Sequence, residues 1–257
     1  NIANDIIFVG DQERVSKITQ HFDSIEFSTQ KREFKTETGM YKGKRLTVQS
    51  TGIGPDNIDI VFNELDALVN VDLNTREIKP NHTALNIVRI GTSGSLQADI
   101  PVDSWVMSKY AIGLDNMLRS YLIEEHSVSE LEDAFIAQTN WDLRKGRPTV
   151  VPCAEALENK IYSNKFHKGF TGTAGGFYGP QGRVVRLNIQ DPQLNSKMDA
   201  FNYNGTRMTN LEMETSAIYG LGKLLGHNCL SLNAIIANRA VGEFSSNPEK
   251  TVNELIA

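Results

Sequence analysis

The pattern of apolar and polar positions along the chain predicts strands that alternate with helices. Residues 5–9, 84–90 and 230–237 are short, mostly apolar runs, which is typical of strands buried in a sheet. Residues 58–68 instead repeat apolar side chains every three or four positions, as an amphipathic helix does. This alternation favours βαβ units and a mainly parallel sheet, curled toward a barrel. Because no repeat or linker interrupts the chain, we expect one domain over residues 1–257.

The same periodicities predict the remaining elements. Helices are predicted over residues 13–22, 129–138 and 154–162, with a last long helix that starts at Leu211. Strands are predicted over residues 45–50, 102–110, 148–152 and 169–173, with a hairpin tip at 39–43. The polar segment 70–82 is interpreted as an irregular surface excursion.

A single arginine, Arg89, lies near the end of an apolar run and is followed by Gly91-Thr92-Ser93-Gly94. A buried strand would hold its guanidinium rigidly, and the glycines would let the backbone turn and approach a ligand. The hydroxyls and inward-pointing backbone N–H groups would then complete an anion site. A strand-end turn with a surface ion pair explains this stretch equally well.

The end of the first strand offers a second candidate anion site. Gly10 closes the strand, and Asp11 suits the N-cap of the helix that follows. Free N–H groups and the helix dipole converge at such a position. Arg14 lies one turn into the helix and could reach the same anion, although its spacing alone favours an arginine exposed to solvent.

Residues 175–183 form a loop with four glycines, two aromatic residues, a glutamine and an arginine. Phe177 on such a loop offers a stacking face to a flat ligand. Gln181 and Arg183 could bracket a ring that carries both hydrogen-bond donors and acceptors. The alternative is a flexible surface turn with exposed aromatic side chains.

Two carboxylates, Glu212 and Glu214, flank Met213 at the predicted start of the last long helix. Residues two apart do not share a helix face, so one carboxylate could face a ligand while the other binds backbone or a neighbouring chain. A carboxylate suits two adjacent sugar hydroxyls, because it can accept a hydrogen bond from both. Acidic residues that complement the helix dipole are the alternative.

Composition narrows the function classes. The 40% hydrophobic and 22% charged content is ordinary for a soluble globular protein, and no apolar run is long enough to span a membrane. A net charge of −5 without a basic run argues against a nucleic-acid surface.

Cys153 and Cys229 are far apart and each adjoins apolar residues, so neither a disulfide framework nor a zinc site is expected. The chain starts at Asn1, so we expect a processed or trimmed chain, and removal of a signal peptide stays open.

Six blocks of the chain, in this order, resemble the nucleoside phosphorylase family of the purine and uridine type. They are residues 10–15, 32–34, 89–94, 177–183, 210–214 and 236–239, and they span nearly the whole chain. The resemblance implies a nucleoside phosphorylase-like fold, with three αβα layers around a central mixed, partly barrel-like sheet. It also implies a cytoplasmic pentosyltransferase of nucleoside catabolism and pyrimidine salvage. Such an enzyme uses phosphate as a co-substrate and needs no cofactor and no metal.

Within the family, the resemblance is greatest to the members that cleave uridine. Phe177-Tyr178-x-x-Gln181-x-Arg183 is similar to their uracil-recognition loop. Members that cleave purine nucleosides usually carry an aspartate near the end of the last strand. Residues 237–239 read Ala-Asn-Arg here and lack it.

The resemblance also implies roles for individual residues. Gly10, Arg14, Arg89 and Thr92 would hold phosphate, and Arg32 would reach the phosphate of an adjacent subunit. The active unit would then be a homo-oligomer, either a dimer or a trimer of dimers.

The nucleoside would lie beside the phosphate in the same implied site. The residues implied to bind it are Thr92, Phe177, Gln181, Arg183, Glu212, Met213 and Glu214, of which Gln181 and Arg183 would bind uracil. Catalysis would rest on Arg89, Gln181, Arg183 and Glu214. The expected partners are uridine or uracil, phosphate and ribose 1-phosphate.

Three departures from the family pattern put parts of this assignment in doubt. The chain lacks a convincing match to the N-terminal histidine that reaches a neighbour's ribose in relatives. The turn at residues 54–57 reads Gly-Pro-Asp-Asn, where relatives commonly have a small serine, and the C-terminus is short. The alternatives are a purine nucleoside phosphorylase, a nucleosidase of the same fold and a non-catalytic nucleoside-binding module. The sequence also leaves open the preference for ribose or deoxyribose and for uracil or thymine.

Overall fold

The computed structural model describes residues 2–257, in which strands and helices alternate along the chain. The strands are β1 (Asp5–Val9), β2 (Ser24–Lys31), β3 (Phe34–Tyr41), β4 (Lys44–Ser50), β5 (Val71–Asp72), β6 (Glu77–Ile78), β7 (Asn86–Ser95), β8 (Trp105–Gly113), β9 (Thr149–Pro152), β10 (Phe166–Thr173), β11 (Asn202–Tyr203), β12 (Thr206–Glu212), β13 (Asn228–Asn238) and β14 (Glu243–Phe244). The helices are α1 (Gln12–Thr19), α2 (Pro55–Asn70), α3 (Ser129–Thr139), α4 (Glu155–Ile161), α5 (Leu194–Ala200), α6 (Thr215–Leu224) and α7 (Pro248–Ile256). Single 3₁₀ turns occur at Met117–Ser120, Ile123–Glu125, Leu143–Lys145 and Gly179–Gln181.

Five strands close into a barrel at the centre of the main sheet. β7 pairs with β13, β13 with β8, β8 with β10, β10 with β12, and β12 pairs back onto β7. β1 extends the sheet from β7 in parallel, and β4, β3 and β2 continue it outward. The pairings are mixed, because β13–β8 and β12–β7 are antiparallel. The predicted α/β class with a central mixed, partly barrel-like sheet is therefore confirmed.

Helices cover the sheet through three apolar clusters. The largest joins α2, α4 and α6 to β1, β7, β8 and β13. A second joins α3 and α5 to β10 and β12, and a third joins α1 to β1 and β4. The predicted stripe of α2 is buried except for Leu68, which is half exposed. Within residues 2–257, no helix has both the length and the apolar character needed to cross a membrane.

At the cavity described below, two of the predicted elements differ from the structure. Leu211 does not start a helix: it belongs to β12, and α6 begins at Thr215. The sequence 91–94 does not form a turn after the Arg89 strand, because β7 continues through it to Ser95 and stays paired with β13. Segment 70–82, predicted to be irregular, contains the small β5–β6 hairpin.

Candidate active site

A cavity of about 470 Å³ opens where the carboxyl ends of β1, β7, β12 and β13 meet. Ligand sites of α/β sheets are commonly found at this edge. All of the site residues predicted from the sequence line this cavity except Arg32: Gly10, Arg14, Arg89, Thr92, Phe177, Gln181, Arg183, Glu212, Met213 and Glu214. A larger cavity of about 720 Å³ lies behind residues 178–194, but Arg183 is the one predicted site residue that lines it.

The guanidinium of Arg89 is buried, with 5% of the residue exposed, and it is held by acidic and amide side chains. Its Nη2 lies 2.6 Å from Glu214 Oε2 and 3.3 Å from Glu212 Oε2, and its Nη1 donates to Asn233 Oδ1 at 2.8 Å. Burial alone would lower the pKa of Arg89, but the two carboxylates outweigh that effect and raise it above its usual value. Arg89 is therefore a fixed cation at the base of the cavity, and not a surface ion pair.

Gly91 and Gly94 make room for arginine side chains. They serve this purpose within β7, which continues through both of them. A Cβ on Gly91 would lie 1.9 Å from Arg89 Nη1, so the guanidinium lies folded over the backbone of residue 91. A Cβ on Gly94 would lie 3.0 Å from the Nε of Arg239, a residue at the end of β13. The glycines thus serve close approach, as predicted, but to the protein's own cations.

Arg14 also turns toward the cavity. Asp11 caps α1 as predicted, since its carboxylate accepts from the backbone N–H of Arg14 at 2.8 Å. The Arg14 guanidinium pairs with the same carboxylate at 3.0 Å and reaches the carbonyl of Ile90 at 3.3 Å. Burial, together with the nearby charge of Arg89, lowers the pKa of Arg14 despite the attraction of Asp11. The interpretation of Arg14 as a solvent-exposed helix arginine is therefore wrong.

The two carboxylates at the end of β12 have different partners. Glu212 accepts from the backbone N–H groups of Glu214 and Thr215 at 2.9–3.1 Å, which ends the strand and starts α6. Glu214 accepts from the backbone N–H of Gly54 at 2.8 Å and from Arg89. Burial raises the pKa of Glu214, although Arg89 opposes the shift. Glu212 thus holds the backbone of the turn, whereas Glu214 bonds Gly54 and Arg89, and both carboxylates line the cavity.

Gln181 forms the opposite wall of the cavity and is clamped by two arginines. Its side-chain oxygen accepts from Arg183 Nη1 at 2.7 Å and from Arg239 Nη2, and its backbone carbonyl accepts from Arg239 Nη1 at 2.8 Å. Because the oxygen is engaged in this way, the NH₂ group of the amide is the donor that a ligand can use. Gln181 is 2% exposed, so this wall is rigid although it lies on a loop.

Phe177 and Arg183 stack at the mouth of the cavity. The Arg183 guanidinium lies 3.8 Å above the centre of the Phe177 ring, and its Nη1 donates to the Phe177 carbonyl at 2.6 Å. Burial lowers the pKa of Arg183. Half of Phe177 is exposed, which leaves an aromatic surface at the opening.

Arg32 is the predicted site residue that the fold does not bring to the cavity. It lies exposed in the turn between β2 and β3, with a positive φ of 56°, and its carbonyl accepts from Gln12 Nε2. Within one chain, Arg32 borders a different surface depression beside Phe34 and α2.

Three residues of the site were not assigned a role from the sequence. Ile53 and Phe244 line the cavity and are largely exposed, and Arg239 holds Gln181. Burial, and then the charge of Arg183, lower the pKa of Arg239 to about 10. In the sequence, Arg239 and Arg89 each lie close to the end of an apolar run, and that parallel could have identified Arg239.

The sequence profile of the phosphorylase superfamily matches residues 5–256. The chain belongs to the phosphorylase superfamily. The uridine phosphorylase of Thermococcus kodakarensis is 29% identical over 97% of this chain and 78% of its own length. A DeoD-type purine nucleoside phosphorylase of Bacillus thuringiensis is 28% identical over 99% of this chain and 91% of its own length.

Solved structures of phosphorylases share the fold. The Trypanosoma brucei nucleoside phosphorylase, described as showing uridine phosphorylase activity, superposes with a TM-score of 0.85 at 30% identity. That superposition covers 99% of this chain and 92% of the other. A uridine phosphorylase of Phytophthora capsici gives a TM-score of 0.68 at 22% identity, over 99% and 87% of the two chains.

Away from the phosphorylase cavity, Asp66, His82 and His227 bring potential metal-ligand atoms within 4.8 Å of one another. His227 Nδ1 accepts from the backbone N–H of Leu85 at 3.2 Å, so its proton lies on Nε2, the nitrogen 3.2 Å from Asp66 Oδ1. His82 Nε2 lies 2.9 Å from the carbonyl of Leu225, which requires a proton on that nitrogen too. The two histidine rings stack with their centroids 5.8 Å apart, and the His227 nitrogen that faces Asp66 is already protonated.

Proposed function

We propose that this protein is a uridine phosphorylase, which converts uridine and phosphate into uracil and ribose 1-phosphate. The observation that carries the proposal is that one cavity joins a cationic floor, formed by Arg14 and Arg89, to a base wall formed by Gln181 and Arg183. Glu214 lines the same cavity and is bonded to Arg89. The family membership and the uridine phosphorylases among the relatives support the same assignment.

The chemistry of phosphorolysis suits this distribution of charge. The C1′–N1 bond breaks with its electron pair moving to uracil, while positive charge grows on the sugar and a phosphate oxygen bonds to C1′. Arg14 and Arg89 would hold the phosphate dianion near the sugar, since guanidinium groups match phosphate oxygens in pairs. The N–H groups of Gln181 and Arg183 would stabilise the negative charge on uracil.

In this proposal Glu214 binds the ribose hydroxyls, because the oxygens of Glu212 already accept from the backbone N–H groups of residues 214 and 215. Glu212 supports it indirectly by fixing the backbone N–H of Glu214. Phe177 would pack against the nucleoside at the opening, and Thr92 and Met213 would complete the sugar and phosphate contacts from the cavity wall.

The site favours uridine over a purine nucleoside. The residue before Arg239 is Asn238, and its side chain is fully engaged in structural bonds. It donates to the carbonyls of Gln97 and Ile100 and accepts from the backbone N–H of Ala240. An amide in these bonds cannot protonate a purine, and the neighbouring arginine holds Gln181. A nucleosidase is disfavoured, because water needs no pair of buried arginines beside the sugar.

We also propose that the active form is a homo-oligomer in the cytoplasm. Arg32 is exposed on a fixed turn outside its own cavity, which is the placement expected of a residue that reaches a neighbour's phosphate.

An ultraviolet absorbance assay of uridine tests the proposed function. We expect uridine to be lost only when phosphate is present, with inosine left intact under the same conditions. Cleavage without phosphate would indicate a nucleosidase, and faster turnover of inosine would indicate a purine enzyme.

A further inference from the structure

The Arg89 guanidinium is held unequally on its two sides. Both nearby carboxylates, Glu212 and Glu214, approach Nη2. On Nη1 the partner is the neutral amide of Asn233, at 2.8 Å. Asn233 belongs to β13, lies opposite Gly91 in the β7–β13 register and has no exposed surface. It does not line the cavity, so any role in binding must act through Arg89.

The amide of Asn233 has one defined orientation. A guanidinium offers donors only, so the atom that faces Arg89 must be the oxygen. The Nδ2 group then points to the hydroxyls of Ser231 and Ser108, at 3.3 and 3.4 Å. Ser231 is itself bonded to Thr215 Oγ1 at 2.8 Å, next to the turn that carries Glu214. The interior of the barrel thus holds the amide before any ligand arrives.

We propose that Asn233 is a positioning residue for phosphate binding, which keeps the Arg89 guanidinium available to the anion. Without its oxygen, the attraction of Glu212 and Glu214 at Nη2 is unopposed, and the guanidinium pivots toward them. Arg89 would then neutralise the protein's own carboxylates in place of the phosphate, and its preorganised orientation would be lost. This inference rests on the proposed phosphorylase function.

Two substitutions of Asn233 test its role in positioning Arg89. Both remove the amide oxygen, but they change the side-chain volume in opposite ways. Asn233→Ala leaves a gap and Asn233→Leu fills it, so a defect that they share comes from the missing acceptor. Thr38→Val is the matched control, because Thr38 is also fully buried in the main sheet and bonds Thr47 but neither Arg89 nor a partner of Asn233. Melting temperature, KM for phosphate and for uridine, and phosphate binding by calorimetry are measured for each.

We expect both Asn233 variants to weaken phosphate binding about tenfold, equivalent to about 1.4 kcal/mol, while KM for uridine changes less than about twofold. Thr38→Val should lower the melting temperature without changing phosphate affinity. Unchanged phosphate affinity in a folded Asn233 variant would overturn the inference. A parallel loss of phosphate and uridine binding, or failure of both variants to fold, would also overturn it, since a structural role would then suffice.

Calorimetry with inorganic phosphate separates this inference from the proposed function. If the wild-type protein does not cleave uridine, the proposed function fails. The comparison of phosphate affinity between wild type and the Asn233 variants still decides whether Asn233 positions Arg89.

Discussion

The substitution Gly91→Ala adds one methyl group beside Arg89. It tests whether the Arg89 guanidinium, which folds back over the strand, binds the phosphate. A Cβ at residue 91 would lie 1.9 Å from Nη1 and 2.4 Å from Cζ, well inside any real contact. The guanidinium must therefore leave its place over the strand, and its bonds to Glu214 at 2.6 Å and Asn233 at 2.8 Å cannot both survive.

The size of the effect follows from the bonds that are lost. A hydrogen bond to a charged group contributes about 1.5–3 kcal/mol, so loss of one from Arg89 to phosphate should reduce kcat/KM for phosphate about 10- to 150-fold. Overpacking and the weakened ion pair should also lower the free energy of unfolding, overpacking alone by about 1–3 kcal/mol.

Gly220→Ala is the matched control for this experiment. Gly220 is a buried glycine of α6, and a Cβ there would meet Leu118 at 2.5 Å, with all three of its nearest atoms in that leucine side chain. Steady-state kinetics and chemical denaturation are measured for both variants. We expect both to be destabilised, but only Gly91→Ala to lose affinity for phosphate. A folded Gly91→Ala protein with wild-type kinetics for phosphate would refute the placement of Arg89 in the phosphate site.

Three further predictions address the base, the sugar and the neighbouring subunit. Gln181→Ala should reduce kcat/KM for uridine about tenfold or more, because it removes a ligand donor and the side-chain acceptor of Arg239, while phosphate binding measured by calorimetry stays unchanged. Burial raises the pKa of Glu214 above the usual range of a glutamate, so its carboxylate should be lost as the pH falls, and calorimetry should show uridine affinity weakening with it; affinity that stays flat down to the onset of acid unfolding would contradict this. If Arg32 acts on a neighbour's site, mixing inactive Arg32→Ala and Glu214→Gln proteins should restore activity through hybrid oligomers, and no recovery after verified subunit exchange would place Arg32 outside the mechanism.

The sequence predicts the fold best where local pattern and tertiary environment agree. β1, α1 with its Asp11 cap, and the buried stripe of α2 follow directly from periodicity and capping chemistry. The helix predicted from Leu211 fails, because Leu211 pairs with Gly172 of β10 and Gly94 of β7. Those are long-range contacts that a local pattern does not encode.

The candidate site shows the same limit. Side-chain types identify Arg89, Gln181 and Glu214, and the fold brings these side chains to one cavity. The partners that hold them, Asn233 and Arg239, come from a strand far along the chain. Their contacts depend on the barrel closing between β7 and β13. Residues that touch a ligand thus leave a chemical signal in the sequence, whereas residues that orient them do so only through the fold.

The most direct test of the account follows the phosphorus atom. The protein is incubated with uridine and inorganic phosphate, and phosphorus NMR is recorded while uracil is measured in the same sample. We predict a sugar 1-phosphate signal that grows in step with uracil. The central claim would be contradicted if uracil and free ribose were released while all the phosphorus stayed in inorganic phosphate.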